Sequence, residues 1–333
     1  MIQQQMKLTD TLTLLNQLAE QSLVLWDIPD DAVVSLINVS ENATYLVKSS
    51  AGKSILRIHR ENYHSERAIE CELEWMNALS KDSDVLTPGV YLARDGKYIQ
   101  SGIVEGLTDP RFMALFQFVE GDQPDETKDL TADFEKLGEI AAKTHGHAIN
   151  WKKPDNFERL IWDDSTMFGE EATWGDWRAA PNVTPEIKIV LEELEILVRQ
   201  RLAVIGKTEN NFGLIHADMR LANLIIHETG PRLIDFDDCG FGWLLYDFAT
   251  AISFIEDDPA IPYLKNAWVK GYRTVRPLSD SEVQEIDTFI MLRRLALLAW
   301  IGTHIEAPEP QEMAPHFARV TAELATDYIA RYE

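Results

Sequence analysis

Two aspartates and an asparagine interrupt a largely apolar, strand-like stretch of the chain, residues 214–236. Asp218 and Asn223 lie at the two ends of the loop ADMRLAN, and Asp235 ends the run RLID that follows the turn ETGP. This turn predicts a hairpin, which brings the ends of its two strands together, so we expect the three side chains to converge. Carboxylates are costly to bury without a balancing cation. The stretch therefore predicts a polar, cation-binding site between apolar strands.

The three side chains suit one kind of chemistry. A carboxylate can accept a proton from a hydroxyl, while an amide oxygen and a second carboxylate are hard ligands of the kind that Mg²⁺ prefers. Phosphoryl transfer needs such a set, because its catalysis consists of positioning and compensation of charge. A polar turn between core strands is the alternative interpretation of the pattern.

The order of residues here, HADMRLAN followed by DFD, resembles the catalytic loop and metal-binding segment of the aminoglycoside phosphotransferase and choline kinase family. The resemblance implies a protein kinase-like fold with ATP and Mg²⁺ as cofactors. It also implies that Asp218 is the catalytic base toward the acceptor hydroxyl and that Asn223 and Asp235 are magnesium ligands. His216 would orient the loop, and Asp247 would tie the loop to the scaffold.

Hydrophobic periodicity divides the chain into two parts. Residues 32–60 read as strands with a turn at Gly52, HSERAIECELEWMNALSK has helical spacing, and GVYLAR, YIQSGIV and MALFQFVE read as strands. Beyond EGDQPD the apolar residues recur mainly at helical spacing. We therefore expect an α+β, bilobal protein kinase-like fold. Its parts would be an N-terminal lobe over 1–116 with an antiparallel sheet and one helix, a hinge over 117–122, and a mainly helical lobe over 123–333.

A kinase of this kind needs a cover over the phosphates, a cation on the third strand and a helix glutamate that holds the cation. The turn in INVSENATYLV is the candidate cover, with Ser40 and Asn42 toward the nucleotide. Arg57 stands where the family usually has lysine; it keeps the charge and binds phosphate through two N–H groups. Glu72 borders the apolar stripe of the helix and is the candidate partner of Arg57. A plain hairpin turn, an exposed arginine and a solvated glutamate are the alternatives.

The stretch FQFVEGDQP resembles the interlobe hinge of the same family. Backbone groups from Gln117 to Val119 are expected to pair with the edge of the adenine ring. These residues complete the predicted ATP site.

Charge and composition narrow the classes of partner. The 31 lysines and arginines face 55 acidic residues, a formal net charge of -24, which repels nucleic acid and anionic lipid and attracts amines. Solubility alone is the alternative explanation of that charge. The N-terminal stretch lacks the pattern of a secretory signal, and two cysteines are too few for a disulfide framework. We expect a cytoplasmic protein; oligomeric state is not readable.

Several tryptophans among carboxylates are candidates for an amine-binding acceptor pocket. They are Trp162, Trp174, Trp177 and Trp300, with Glu306 beside them. Packing beneath a long insertion is the alternative interpretation.

The function expected from this resemblance is ATP-dependent phosphorylation of a hydroxyl on a small, amine-bearing acceptor. Homoserine, hydroxylysine, choline, ethanolamine and aminoglycosides are all compatible acceptors. Three other functions stay open at this point: a protein serine/threonine kinase of the same fold, a catalytically silent nucleotide-binding module, and a metal-dependent hydrolase.

Overall fold

The computed structural model of the protein describes residues 8–39, 42–125, 127–169, 171–227 and 230–332. Its contacts divide the chain into two compact units. The first comprises Met1–Ala78, Thr87–Glu120 and Pro154–Glu158, and the second comprises Leu79–Leu86, Gly121–Lys153 and Arg159–Glu333. The domain limits expected above stay a prediction. None of the helices in the described ranges is long and apolar enough to span a membrane.

The first unit is built on an antiparallel sheet with the strand order β1-β2-β3-β5-β4. The strands are β1 (Val33–Val39), β2 (Ala43–Ser49), β3 (Gly52–Ile58), β4 (Ile99–Gly102) and β5 (Arg111–Gln117). Helix α1 (Leu8–Ser22) precedes them, and helix α2 (Glu66–Asp82) follows β3 and continues into the second unit. The apolar face of α1 and the alternating apolar residues of β2 and β3 share one core, which includes Leu18, Tyr45 and Leu56.

The predicted strand over residues 89–94 is wrong. This segment pairs with β5 through a single bridge between Val90 and Phe116. Pro88, just before it, has no N–H to donate to a ladder, and Ala93 instead bonds to the carbonyl of Lys97 in a local turn. Strand-like composition here accompanies an extended segment with a single bridge and not a regular strand.

The second unit is mainly helical. Its helices are α3 (Thr131–Asn150), α4 (Pro185–Ile205), α5 (Tyr246–Ala251), α6 (Ile261–Arg273), α7 (Asp280–Thr303) and α8 (Pro308–Tyr332). The strands β6 (Leu160–Trp162), β10 (Gly240–Trp243) and β7 (Phe212–Ile215) form a small sheet in that order, and β8 (Leu224–Ile225) pairs with β9 (Arg232–Leu233). The expected α+β fold class, with an antiparallel sheet followed by a helical part, is confirmed.

Local sequence signals account for the ends of the long helices. Ser279 and Glu282 form a reciprocal capping box at the start of α7, which satisfies N–H groups that have no partner within the helix. Thr184 caps α4 ahead of a proline in the first turn. Helix α4 ends at Gly206, whose φ of 63° is readily adopted by glycine.

Two glycines bring α3 and α6 into direct backbone contact. A Cβ atom at Gly138 would lie 2.0 Å from the carbonyl oxygen of Trp268, and one at Gly271 would lie 1.8 Å from that of Glu135. Any larger residue at either position would force the helices apart. This close contact sets His145 of α3 beside α6, where it supports the candidate site.

Candidate active site

The loop after β7 is anchored through its backbone. Asp247 of α5 accepts hydrogen bonds from the N–H groups of His216 at 3.2 Å and Ala217 at 2.7 Å. Ala217 has a φ of 64°, a left-handed conformation that an alanine rarely adopts without external support. The buried carboxylate of Asp247 supplies that support, and the anchored backbone of Ala217 fixes the position of the next residue, Asp218.

His216 joins the two halves of the predicted site. Its Nδ1 accepts a hydrogen bond from the N–H of Asp218 at 3.2 Å, so Nε2 carries the proton and donates to the carbonyl of Ile234 at 3.0 Å. Asp235 follows Ile234 directly. One fully buried imidazole therefore connects the loop to the strand end, as the loop-orienting interpretation of His216 expects.

His145 forms a second layer of support beneath Asp247. Its Nε2 lies 2.9 Å from Asp247 Oδ2 and its Nδ1 lies 3.1 Å from the Tyr272 hydroxyl. Burial lowers the pKa of His145 despite the nearby carboxylate, so the ring is neutral, donates from Nε2 and accepts at Nδ1.

The Asp218 carboxylate is held on both oxygens. Asn223 Nδ2 donates to Oδ2 at 2.9 Å and to the Asp218 backbone carbonyl at 2.8 Å. Arg293 Nη2 donates to Oδ1 at 3.1 Å, and Arg220 Nε lies 3.4 Å from the same oxygen. Burial acts to raise the pKa of Asp218, but the charges of Arg220 and Arg293 outweigh it, so the pKa lies below its usual range. The carboxylate is therefore ionised and oriented.

Asn223 and Asp235 lie at the same end of the β8–β9 hairpin. Leu224 pairs with Leu233, and the N–H of Ile234 donates to the carbonyl of Asn223 at 2.9 Å. The amide of Asn223 turns its NH₂ toward Asp218, and within the described residues its Oδ1 accepts no hydrogen bond. Asn223 therefore contacts Asp218 and lies beside the strand end that precedes Asp235; a meeting of all three side chains stays a prediction.

Asp235 differs from the expectation of a buried carboxylate. Its side chain is exposed, and its φ is 58°. Carboxylate and amide oxygens are hard donors of the kind that suits Mg²⁺, which keeps several waters and takes few protein ligands. Within the described residues there is no group of three or more His, Cys, Asp or Glu side chains that could hold a metal ion.

In the first unit, Arg57 and Glu72 form the predicted pair. Arg57 Nη2 lies 2.5 Å from Glu72 Oε1, with side-chain exposures of 7% and 0%. The guanidinium also lies over the ring of Phe116, 4.8 Å from its centroid. The alternatives of an exposed strand arginine and a solvated helix glutamate are therefore wrong. The role of the pair toward ATP stays a prediction.

The remaining nucleotide-binding predictions fall on two segments of the first unit. Ser40 lies outside the described residues, and Asn42 Oδ1 accepts a hydrogen bond from the N–H of Arg60 at 3.1 Å. The N–H of Gln117 donates to the carbonyl of Gly89 at 2.8 Å. The backbone N–H and C=O of Val119 form no hydrogen bond within the described part of the chain, and their pairing with the adenine edge stays a prediction.

The candidate acceptor tryptophans have different surroundings. Trp162 and Trp174 contact one another with ring centroids 4.9 Å apart, and the Arg293 guanidinium lies 5.1 Å from the Trp174 centroid. Trp177 is fully buried and donates to Glu195 at 2.8 Å, which matches the packing interpretation. Trp300 is buried and stacks on His304. Arg293 therefore contacts both Trp174 and Asp218 and lies between them.

A cavity of about 600 Å³ opens beside the loop. Its lining combines acidic, basic and aromatic side chains, among them Arg220, Phe254, Asp258, Tyr263 and Glu309. Arg220 connects the cavity to the loop, because its Nη1 lies 3.1 Å from Glu309 of α8 while its Nε faces Asp218.

The two arginines at Asp218 were missed from the sequence. Arg220 stands two residues after Asp218, a position at which a cation inside the motif could have been noticed. Arg293 lies in an apolar helix 75 residues further along the chain, and no local pattern points to it.

Comparisons with known proteins agree with this geometry. A family model described as the phosphotransferase enzyme family matches residues 34–278. The solved structure of a microcompartment-associated aminopropanol kinase is 41% identical, with a TM-score of 0.87 over 95% of this chain and 98% of that chain. An amicoumacin kinase solved with AMP-PNP and Ca²⁺ is 19% identical and has a TM-score of 0.74 over 92% of each chain, a likeness that shows the fold alone.

A curated relative, an uncharacterized protein of Synechocystis sp., is 26% identical over 250 residues. The match covers 72% of this chain and 64% of the relative, so this chain spans less than two thirds of that protein's length.

Proposed function

The chain belongs to the phosphotransferase enzyme family, and on that basis we propose that it transfers the γ-phosphoryl group of ATP to the hydroxyl of a small amino alcohol. It is a small-molecule kinase of this family. The observation that supports the reaction most directly is the Asp218 carboxylate, which is ionised, bonded on both oxygens and set in the loop HADMRLAN.

Asp218 is the proposed catalytic base. It would accept the hydrogen bond of the acceptor hydroxyl and take the proton as the new P–O bond forms, while the γ-phosphoryl group leaves ADP. Asp247, through the backbone of His216 and Ala217, holds the loop in the conformation that presents this carboxylate.

Asn223 Oδ1 and the Asp235 carboxylate are the proposed magnesium ligands. When bound there, Mg²⁺ would compensate the negative charge of the nucleotide phosphates. In the first unit, Arg57 is proposed to hold phosphate oxygens in place of the usual lysine, with its direction set by Glu72. Asn42, Gln117 and the free backbone groups of Val119 are proposed to contact the nucleotide, as is Ser40.

The acceptor class rests on two supports. The solved relative with 41% identity is an aminopropanol kinase, a protein whose named acceptor carries one hydroxyl and one amine. The net charge of -24 favours the approach of a cationic acceptor over an anionic one.

The test measures ADP release and phosphorylated product together, with Mg²⁺ and ATP, across amino alcohols, hydroxy amino acids, aminoglycosides and a serine-rich protein. The proposal expects turnover with amino alcohols at a kcat/KM at least tenfold above the other classes. Preferred phosphorylation of an aminoglycoside or of the protein would overturn the acceptor class. ATP binding without any product would support a silent module instead.

A pair of variants tests the base. Asp218→Asn should keep ATP binding and lower kcat by about 10²–10⁴-fold, the range that a general base contributes. Asp95→Asn, which changes an exposed carboxylate of the first unit, is the matched control and should retain the unmutated rate. An unchanged rate in Asp218→Asn would show that another group accepts the proton.

A further inference from the structure

Arg293 and its neighbour Arg294 are two buried charges in an otherwise apolar part of α7. The residues around them, from Phe289 to Ile301, are buried, and Arg293 itself is only 3% exposed. Burial of a guanidinium is unfavourable unless its N–H groups are paired. Its presence there therefore points to a role that an apolar side chain could not fill.

Each nitrogen of the Arg293 guanidinium has a different partner. Nε donates to Ser253 Oγ at 3.0 Å, Nη1 lies 3.4 Å from the Tyr246 hydroxyl, and Nη2 donates to Asp218 Oδ1 at 3.1 Å. One face of the planar group is covered by Trp174. Three partners in three directions define the plane of the guanidinium, and with it the direction of the N–H that meets Asp218.

The effect on Asp218 follows from the freedom of an aspartate side chain. The torsion that rotates its carboxylate has a broad, soft profile, so packing alone sets it poorly. Asn223 holds Oδ2 from within the loop, and Arg293 holds Oδ1 from α7. Together they stop the rotation, so that the lone pairs not used by these two donors point in a constant direction.

We propose that Arg293 is a positioning residue, which sets the rotation of the Asp218 carboxylate and thereby directs it toward the acceptor hydroxyl. It acts through Asp218 and does not itself touch the reacting atoms. The inference rests on the proposed phosphoryl transfer for its kinetic consequence, while its structural consequence is independent of activity.

Arg294 is an internal control for this proposal. It is adjacent in sequence, 1% exposed, and paired with a buried carboxylate, Glu256, at 2.7 Å. Its other partners are Thr321 and the carbonyl of Phe317 in α8, and among the described residues none of its contacts lies in the loop. The two arginines therefore carry the same buried charge on the same helix, but only one of them meets Asp218.

The experiment compares Arg293→Lys, Arg293→Gln and Arg294→Lys with the unmutated protein. A misplaced reacting group can cost about 100-fold in rate. Arg293→Gln should lower kcat by about 100-fold with the KM and Kd of ATP unchanged, and Arg293→Lys, which keeps the charge but carries its donors on one nitrogen and not on three, should recover part of this loss. The number of ATP molecules hydrolysed by water for each acceptor molecule phosphorylated should rise in both Arg293 variants. Arg294→Lys should lower Tm and leave kcat and this number unchanged.

Crystal structures of the unmutated protein and Arg293→Gln supply the readout that does not depend on activity. The carboxylate of Asp218 should have one orientation in the first and a rotated or divided one in the second. A kcat within twofold in Arg293→Gln, an equal loss in Arg294→Lys, or an unrotated Asp218 would each overturn the proposal. An inactive unmutated protein would instead refute the proposed function, and the orientation of Asp218 would still decide the role of Arg293.

Discussion

Removal of the Arg57 side chain leaves a buried carboxylate without its partner. Glu72 is fully buried, its Oε1 is bound to Arg57 at 2.5 Å, and its Oε2 has no hydrogen bond within the described residues. In Arg57→Met the carboxylate must either stay charged in an apolar site or take up a proton. Proton uptake requires less free energy than a charged carboxylate in an apolar site, so it sets the loss of stability.

The magnitude follows from the proton uptake. A glutamate side chain titrates near 4.3, and each pH unit is worth about 1.36 kcal/mol, so protonation at pH 7 costs about 3.7 kcal/mol. The lost contact between Arg57 and the Phe116 ring adds about 0.5–1 kcal/mol. Arg57→Met should therefore lower the free energy of unfolding by about 4 kcal/mol at pH 7, in line with the 3–5 kcal/mol typical of a broken buried pair.

Urea unfolding followed by tryptophan fluorescence measures this loss. Because proton uptake becomes easier in acid, the loss should shrink by about 1.4 kcal/mol for each pH unit from pH 7 to pH 5. The double variant Arg57→Met/Glu72→Leu removes both charges and should return to within about 1 kcal/mol of the unmutated protein. A single variant that loses less than about 1 kcal/mol, or a double variant as unstable as the single one, would refute the reasoning.

Three further predictions concern other parts of the molecule. Gly271→Ala should destabilise the protein by about 1–3 kcal/mol or more, since its Cβ would lie 1.8 Å from a backbone oxygen of α3. The control Gly146→Ala, whose Cβ would lie 3.9 Å from its nearest neighbour, should be neutral or slightly stabilising. Equal Tm values for the two variants would contradict the close helix contact. Burial lowers the pKa of His145, so below pH 6.5 the unfolded chain binds a proton that the native ring does not. The free energy of unfolding therefore decreases as the pH is lowered, by up to about 1.4 kcal/mol per pH unit. His145→Gln lacks this component, so the stability difference between the unmutated protein and this variant should narrow between pH 7.5 and pH 5.5; a constant difference would show that the ring titrates alike in both states. Asp235→Asn should weaken ATP binding in the presence of Mg²⁺ by about tenfold or more and leave metal-free binding unchanged, as titration calorimetry with and without EDTA can establish.

The sequence was most informative where neighbouring residues act together. The loop from His216 to Asn223 and the strand end at Asp235 are close along the chain and are joined by one hairpin, so the motif that resembles the family could be read from the sequence. Helix α4 carries its own cap and an apolar stripe, and helix α7 begins at its own capping box. The pair of Arg57 and Glu72 was predicted because the family resemblance implies a cation on the third strand with a helix glutamate, and because Glu72 borders the apolar stripe of its helix.

Tertiary structure alone decided which distant groups complete the site. Arg293 reaches Asp218 across 75 residues, and His145 reaches Asp247 across 102, from helices whose sequence patterns show only that they are buried. The exposure of Asp235 likewise depends on how the hairpin ends. Periodicity records which face of an element leaves water, because burial acts on every residue of that face. It does not record which buried polar groups meet, since a hydrogen bond depends on the relative placement of two elements within a few tenths of an ångström.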